Sequence, residues 1–203
     1  MKTKYFILLT ISALALISCE QLPQSELPCG FTQNQWKQRV SWNSQLPVSV
    51  VVHGSVPQNY HVSILGAANQ WNESVGKSLL RLTTSSDTSS PSPKKDNKNV
   101  IYWMTDWSSS ESRTQGTTGV YWVNNQITEA DIKINAKNFR YFTDKPKSFD
   151  EVNLESLMVH EFGHFLGLKH RETNETVMYP TLMANVFRNI PFDSDKQAIK
   201  CEY

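Results

Sequence analysis

The sequence predicts an α+β fold, and three observations carry that prediction. Short β-branched and aromatic runs recur between residues 46 and 135, two longer stretches space their apolar residues as helices do, and no segment repeats another. At 203 residues the chain is one domain plus short extras, long enough to bury a core. Charged residues make up 19% and the formal net charge is +1, so nothing draws it broadly to nucleic acid.

The first residues stand apart. Lys2 and Lys4 precede an apolar run from Tyr5 to Ile17, too short and too early for a membrane-spanning helix and shaped like an export signal. It closes on Leu16-Ile17-Ser18-Cys19, which resembles the lipobox of bacterial lipoproteins, whose cysteine becomes the lipidated first residue. An ordinary cleaved signal using Ala13-Leu14-Ala15 is the alternative. The expected organisation is a signal peptide over 1–18, a polar tether over 19–39 beginning at lipidated Cys19, and a domain over 40–203. The mature protein would be exported, anchored to a bacterial membrane by acyl chains and otherwise soluble. With Cys19 set aside, Cys29 and Cys201 remain, and an even remainder in an exported chain suggests a disulfide worth about 4–5 kcal/mol in the chain-entropy model.

Along the domain, LPVSVVVHG (46–54) reads as a strand. YHVSILGAANQWNESVG (60–76) reads as a helix through Val62, Leu65, Ala68, Trp71 and Val75, ending near Gly76. LLRLTT (79–84) and NVIYWMT (99–105) are strands separated by a polar loop over 85–99. GVYWVN (119–124) and ADIKIN (130–135) form a hairpin pair. The longest helical pattern runs over 148–168, with Asn153 or Asp150 able to cap its start. Leu154, Met158, Phe162 and Phe165 make a core stripe there, while Leu157, His160, Glu161 and His164 make a second one.

That second stripe carries the chemistry. HEFGHFLGLKH (160–170) holds three of the chain's five histidines. His160 and His164, at i and i+4, stack on one helix face with Cβ atoms about 6 Å apart, so both imidazoles can reach one ion. A third ligand needs a change of chain direction. Gly167 permits it, because glycine enters the left-handed region freely, and His170 can then return to the same ion. Three neutral imidazoles leave a fourth position for water, the mark of a catalytic zinc site. Glu161 leaves the helix about 100° round from His160 and can flank the metal without ligating it, where it would accept a proton from the activated water. Chance occurrence of these five positions is on the order of one in 10^5.

HEFGHFLGLKH matches the metzincin pattern H-E-x-x-H-x-x-G-x-x-H. Metzincins also have a methionine turn beneath the zinc, and Met178 falls eight residues after His170; the string Met178-Tyr179-Pro180 resembles the matrixin branch, the family of the matrix metalloproteases. NQITEADIKIN (125–135) resembles the edge-strand region of matrixins, and DSDKQAIKCEY (193–203) the start of their last helix. The resemblance implies a twisted, mixed five-stranded sheet with two long helices, then a small C-terminal subdomain holding the Met-turn and a last helix. It implies one catalytic zinc ion held by His160, His164 and His170, with Glu161 as general base and Met178 as packing support. Tyr179 and Pro180 would line a substrate pocket, and a protein or peptide substrate would lie extended along the edge strand. The function implied is a monomeric zinc metalloendopeptidase. A lipid-anchored surface-binding protein that keeps zinc only for stability is the alternative.

Several features depart from the family. Arg171 follows the third histidine where matrixins usually have serine. No histidine lies between His61 and His160, so no second, structural zinc is expected. Asp106, Asp131 and backbone carbonyls are candidate calcium ligands, without an Asp-rich loop. Pro28-Cys29-Gly30 resembles part of the cysteine switch that blocks the zinc, but lacks its flanking residues, so the disulfide is preferred. His53 and His61 read as surface residues of a strand and a helix.

Overall fold

The computed structural model describes residues 29–203; the signal peptide expected over 1–18, Cys19 and residues 20–28 lie outside them. The β-branched run at Val48–Val52 is β1, followed by α1 (His61–Val75), β2 (Leu80–Thr84), β3 (Val100–Met104), β4 (Gly116–Val123) and β5 (Gln126–Asn135). These strands make one sheet in the order β2-β1-β3-β5-β4, parallel throughout except for β4, which pairs antiparallel with β5. Crossovers place a helix on such a sheet, and an antiparallel strand on its rim is a common finish. The two-stranded pairing of β6 (Tyr141–Phe142) with β7 (Val152–Asn153) precedes α2 (Leu154–Phe165), and α3 (Asp193–Lys200) closes the chain.

The hairpin is longer than its two apolar halves suggest. Asn124 takes φ +57° in a two-residue turn with Asn125, and polar Thr117, Thr118 and Glu129 join the ladder. The strand at the edge is therefore β4, while β5, within the stretch 125–135 read as the edge region, lies inside the sheet.

Helix α1 buries Ile64, Ala67, Ala68 and Trp71, whereas Val62 and Leu65, read as part of its core stripe, are 70% and 50% exposed. The buried side is the one that can approach α2 closely: Ala67 and Ala68 are small, and Gly66 lies where a Cβ would stand 3.1 Å from Glu155 Oε1. Trp71 crosses the interface and its Nε1–H donates to Val159 O at 2.9 Å.

Helix α2 begins at Leu154, six residues later than its pattern suggests. Of the two candidate caps, Asn153 acts: its Oδ1 accepts from Ser156 N at 2.9 Å and Ser156 Oγ at 2.7 Å. The preceding residues serve β7 and a turn in which Glu151 accepts from Lys147 N at 2.5 Å. Leu154, Met158, Phe162 and Phe165 are all fully buried, as their spacing predicts.

The far end of α2 is closed completely. Gly167, at φ +102°, donates to His164 O and Leu168 donates to Gly163 O, both at 2.9 Å, the paired bonds of a Schellman turn. The next carbonyls are taken from elsewhere: Phe165 O by Trp42 Nε1 at 2.8 Å, Leu166 O by the Tyr203 hydroxyl at 2.7 Å and Gly167 O by Thr32 N at 2.8 Å. Phe31, wholly buried, lies against Gly167. Residues 29–39, read from sequence as the end of a tether, are thus part of the folded domain. Phe31 docks at the end of α2, whereas Trp36 stays 58% exposed. Arg39 pairs with Glu202 at 2.6 Å, and Cys29 and Cys201 form a disulfide across 172 residues.

Two further readings change. His53 is buried, not a surface residue, because its ring packs 5.2 Å from that of Tyr102 and its Nδ1 accepts from Ser55 N at 3.0 Å. His61, half-buried, places Nε2 3.1 Å from Val56 O. Asp106 and Asp131 sit toward opposite ends of β3 and cannot share one calcium ion: Asp106 pairs with Lys137 at 3.3 Å, while Asp131 accepts from Val100 N at 2.9 Å.

Gly167→Ala should lower stability by about 2–4 kcal/mol, because the left-handed backbone is strained for alanine and its Cβ would stand 2.3 Å from Val40 O. Urea unfolding followed by circular dichroism checks this, and an unmoved midpoint would contradict the role of the bend. Burial pushes the Asp131 carboxyl up to about 6, against the Val100 hydrogen bond and with help from Glu129 and Asp96. The folded state thus holds this proton more tightly than the unfolded one, and stability is lost as pH rises from about 4 to about 6. Asp131→Asn should be more stable than wild type by about 1–2 kcal/mol at pH 8, with the difference gone below pH 4.

Candidate metal centre

Helix periodicity and the Schellman turn together bring three imidazoles to one point. The Nε2 atoms of His160, His164 and His170 stand 3.2, 3.2 and 3.0 Å apart. Those separations approach the roughly 3.3–3.4 Å edge of a tetrahedron whose metal–nitrogen bonds are about 2.0–2.1 Å. Among the described residues this is the only trio of histidine, cysteine or carboxylate side chains whose ligand atoms converge. The hydrogen bonds behind it supply the test of fit. His160 Nδ1 lies 2.8 Å from Val177 O and His164 Nδ1 lies 2.8 Å from Leu168 O, and a carbonyl only accepts, so each Nδ1 carries the proton. Their Nε2 lone pairs therefore face each other with no hydrogen between them, an arrangement that a cation satisfies and its absence does not.

Burial tunes the same groups. It pushes His160 down to about 3, with His164 adding to the shift, and pushes His164 down to about 4; His170 is also lowered by burial. Neutral imidazole is the ligating form, so the site favours the state that binds metal.

Glu161 follows His160 on α2 and is buried with its carboxyl raised to about 7, the Thr118 hydrogen bond opposing the shift. Thr118 Oγ1 donates to Glu161 Oε2 at 2.6 Å. Opposite Oε1 lies Gly116, where a Cβ would come within 2.9 Å. Neither Thr118 nor Gly116 is apparent from the sequence motif. Gly116 opens β4 and lies ahead of the strand read at 119–124, so no strand signal in the sequence marked it.

Met178 is buried directly under α2: a Cβ on Gly163 would lie 2.2 Å from its sulfur. The small residue between the two helical histidines lets the methionine seat there. A further residue, Asp195 of α3, holds this turn from below. It accepts from Thr176 Oγ1 and, at 2.8 Å, from Val177 N, the residue whose carbonyl orients His160. Asp195 also accepts from Phe192 N at 3.0 Å, capping its own helix. Only the tertiary structure shows the connection to the metal ligands.

A cleft of about 730 Å³ opens above the histidines, lined on one side by β4 and on the other by Pro180, Thr181 and Leu182. Pro180 stands in the wall. Tyr179 does not line the cleft; it contributes its carbonyl, which accepts from Arg188. Arg171, the departure after His170, turns away and donates to Ser194 O at 3.2 Å. Cys29 is bonded to Cys201, so its sulfur is engaged away from the histidines.

A mostly parallel sheet, two packed helices, three convergent histidines and a methionine beneath them define a metzincin fold. Within that class, the matrixin family model matches residues 29–203, and the chain belongs to the matrixin family. It is similar over short stretches to metalloendoproteinase 4-MMP of Arabidopsis thaliana, 54% identical over 39 residues, 19% of this chain and 11% of that protein. Metalloendoproteinase 2-MMP of the same plant is 58% identical over 31 residues, 15% and 8% of the two chains. Macrophage metalloelastase of Rattus norvegicus is 49% identical over 45 residues, 21% and 10%. The matched stretches thus span about a tenth of those relatives. The family match begins where the described structure does, at residue 29, ahead of the boundary at 40 read from sequence.

Asp195→Asn should weaken metal affinity by about 10–100-fold through misplacement of Val177 and His160. Competition against a chromogenic chelator measures it, and an unchanged affinity would dissociate α3 from the centre.

Proposed function

We propose that this protein is a zinc-dependent endopeptidase that cleaves extended polypeptides, exported and held at a bacterial membrane by lipid on Cys19. The observation that carries the reading is the placement of Glu161, a buried carboxylate beside three convergent imidazoles, on the floor of an open cleft. A site that held metal for stability alone has no use for it. His160, His164 and His170 would hold the ion. When bound, zinc supplies Lewis acidity, which brings water ionisation toward neutral pH and polarises a carbonyl oxygen.

Thr118 engages one oxygen of Glu161 and leaves Oε1 to take a proton from water and to deliver it to the departing amine nitrogen. A carboxyl raised by burial is suited to both transfers, since neither direction is strongly uphill near neutrality. The outer edge of β4 beside the cleft, unpaired among the described residues, offers backbone groups to an extended chain, which would add as a further strand. Val120 and Trp122 of β4 stand in the cleft wall, ready to contact its side chains. The disulfide suits an oxidising compartment, in agreement with export. Residues 20–28 would form the tether, and the working unit would be the monomer.

Glu161→Gln should keep its metal and lose about 10²–10⁴-fold in cleavage of an unfolded protein substrate. Metal content by elemental analysis and product masses after digestion, with and without a chelator, read the two halves separately. Wild type carrying one zinc yet cleaving nothing across a broad peptide library would favour the surface-binding alternative.

A further inference from the structure

The cleft has an electrostatic bias that the histidines and Glu161 do not explain. Two guanidinium groups, Arg113 and Arg188, line it, and among the described residues its only carboxylate is Glu161. Arg188 is the better fixed. Its backbone N–H donates to Ser156 Oγ at 2.7 Å, one turn before His160 on α2. Its side chain then reaches back along the wall, donating to Thr181 O and Tyr179 O, both at 3.0 Å.

Those acceptors are neutral carbonyls. No ion pair among the described residues involves Arg188, and its Nε is buried with no hydrogen-bond partner. A guanidinium offers five N–H groups, and here two are used. Burial holds its pKa below the ordinary arginine value, against the opposing pull of Asp195. A hydrogen-bonding role in the wall needs no charge; a neutral side chain could do it without the desolvation cost. Leu157, Leu182 and Pro180 line the same cavity, and apolar walls strengthen any charge pairing made there.

We propose that Arg188 sets the substrate preference of the cleft by pairing with a carboxylate of the bound polypeptide. The carboxylate is that of an aspartate or glutamate side chain near the scissile bond or of a chain terminus. The inference deepens the endopeptidase reading and rests on the cleft being a peptide site. The planar fork of arginine matches a carboxylate in two parallel hydrogen bonds, which a glutamine isostere cannot reproduce.

The test uses the full chain loaded with zinc and capped, otherwise neutral decapeptides in which one glutamate is moved position by position. Matched peptides carry glutamine instead, and a further pair differs only in a free or amidated C-terminus. Binding is measured calorimetrically on Glu161→Gln protein, and cleavage on wild type by product mass. Glutamate at one position, or the free C-terminus, should bind about tenfold or more tightly than its neutral match, which also decides the source of the carboxylate. Arg188→Gln should bring that ratio to about one, and Arg188→Lys should leave it intermediate. Should Arg188→Gln fail to fold by circular dichroism, Arg188→Lys carries the comparison. Equal affinity for all peptides, including none measurable, overturns the proposal, as does a preference that survives the loss of Arg188. Selective binding without cleavage by wild type would overturn the hydrolytic reading and leave Arg188 in its role.

Discussion

The bend at Gly167 is the constraint on which the rest of the structure depends. A helix can present two histidines to one point, but a third donor on the same helix would be carried past it. The left-handed residue turns the chain at the moment the helix ends, and His170 comes back to within 3.2 Å of both partners. Such a bend exposes carbonyls that must be satisfied, and here they are met by three distant groups, Thr32 N, Trp42 Nε1 and the Tyr203 hydroxyl. Both ends of the domain therefore converge on the end of α2. The Cys29–Cys201 disulfide and the Arg39–Glu202 pair join those two ends to each other.

Burial then converts geometry into chemistry. The low-dielectric surroundings that keep His160 and His164 neutral also raise the Glu161 carboxyl, so one environment prepares both ligands and base. Carbonyls of Val177 and Leu168 fix which nitrogen of each imidazole carries the proton. The first of these depends on Asp195 gripping the Val177 N–H, so α3, remote in sequence, steadies the centre. Arg188 belongs to the same economy of contacts: anchored on Ser156, it ties the cleft wall to the helix that bears the ligands.

Much of this was legible along the chain because its causes are local. Two side chains four residues apart on a helix are neighbours whatever surrounds the helix, and glycine after the last turn permits a left-handed residue by its own nature. The core stripe Leu154-Met158-Phe162-Phe165 follows from the same periodicity. Misreadings arose where the outcome lay with a partner. Val62 and Leu65 fit a helical stripe, yet α2 approaches the side of α1 that carries alanines and Gly66. Residues 29–39 are polar enough for a tether until Phe31 meets Gly167. Residues 148–153 continue a helical pattern, but β6 takes Val152 and Asn153 into a ladder first.

The sequence by itself determined that three imidazoles and a carboxylate would gather at one helix end, since backbone periodicity and glycine's freedom act within a few residues. Only the tertiary structure decided which oxygen of Glu161 is held by Thr118, how Asp195 supports His160, and that Arg188 lines the cleft with no carboxylate partner among the described residues. These contacts join segments 18 to 43 residues apart or compare a charge with everything around it. They are set by how sheet, helices and wall pack together, which no short stretch of chain can encode alone.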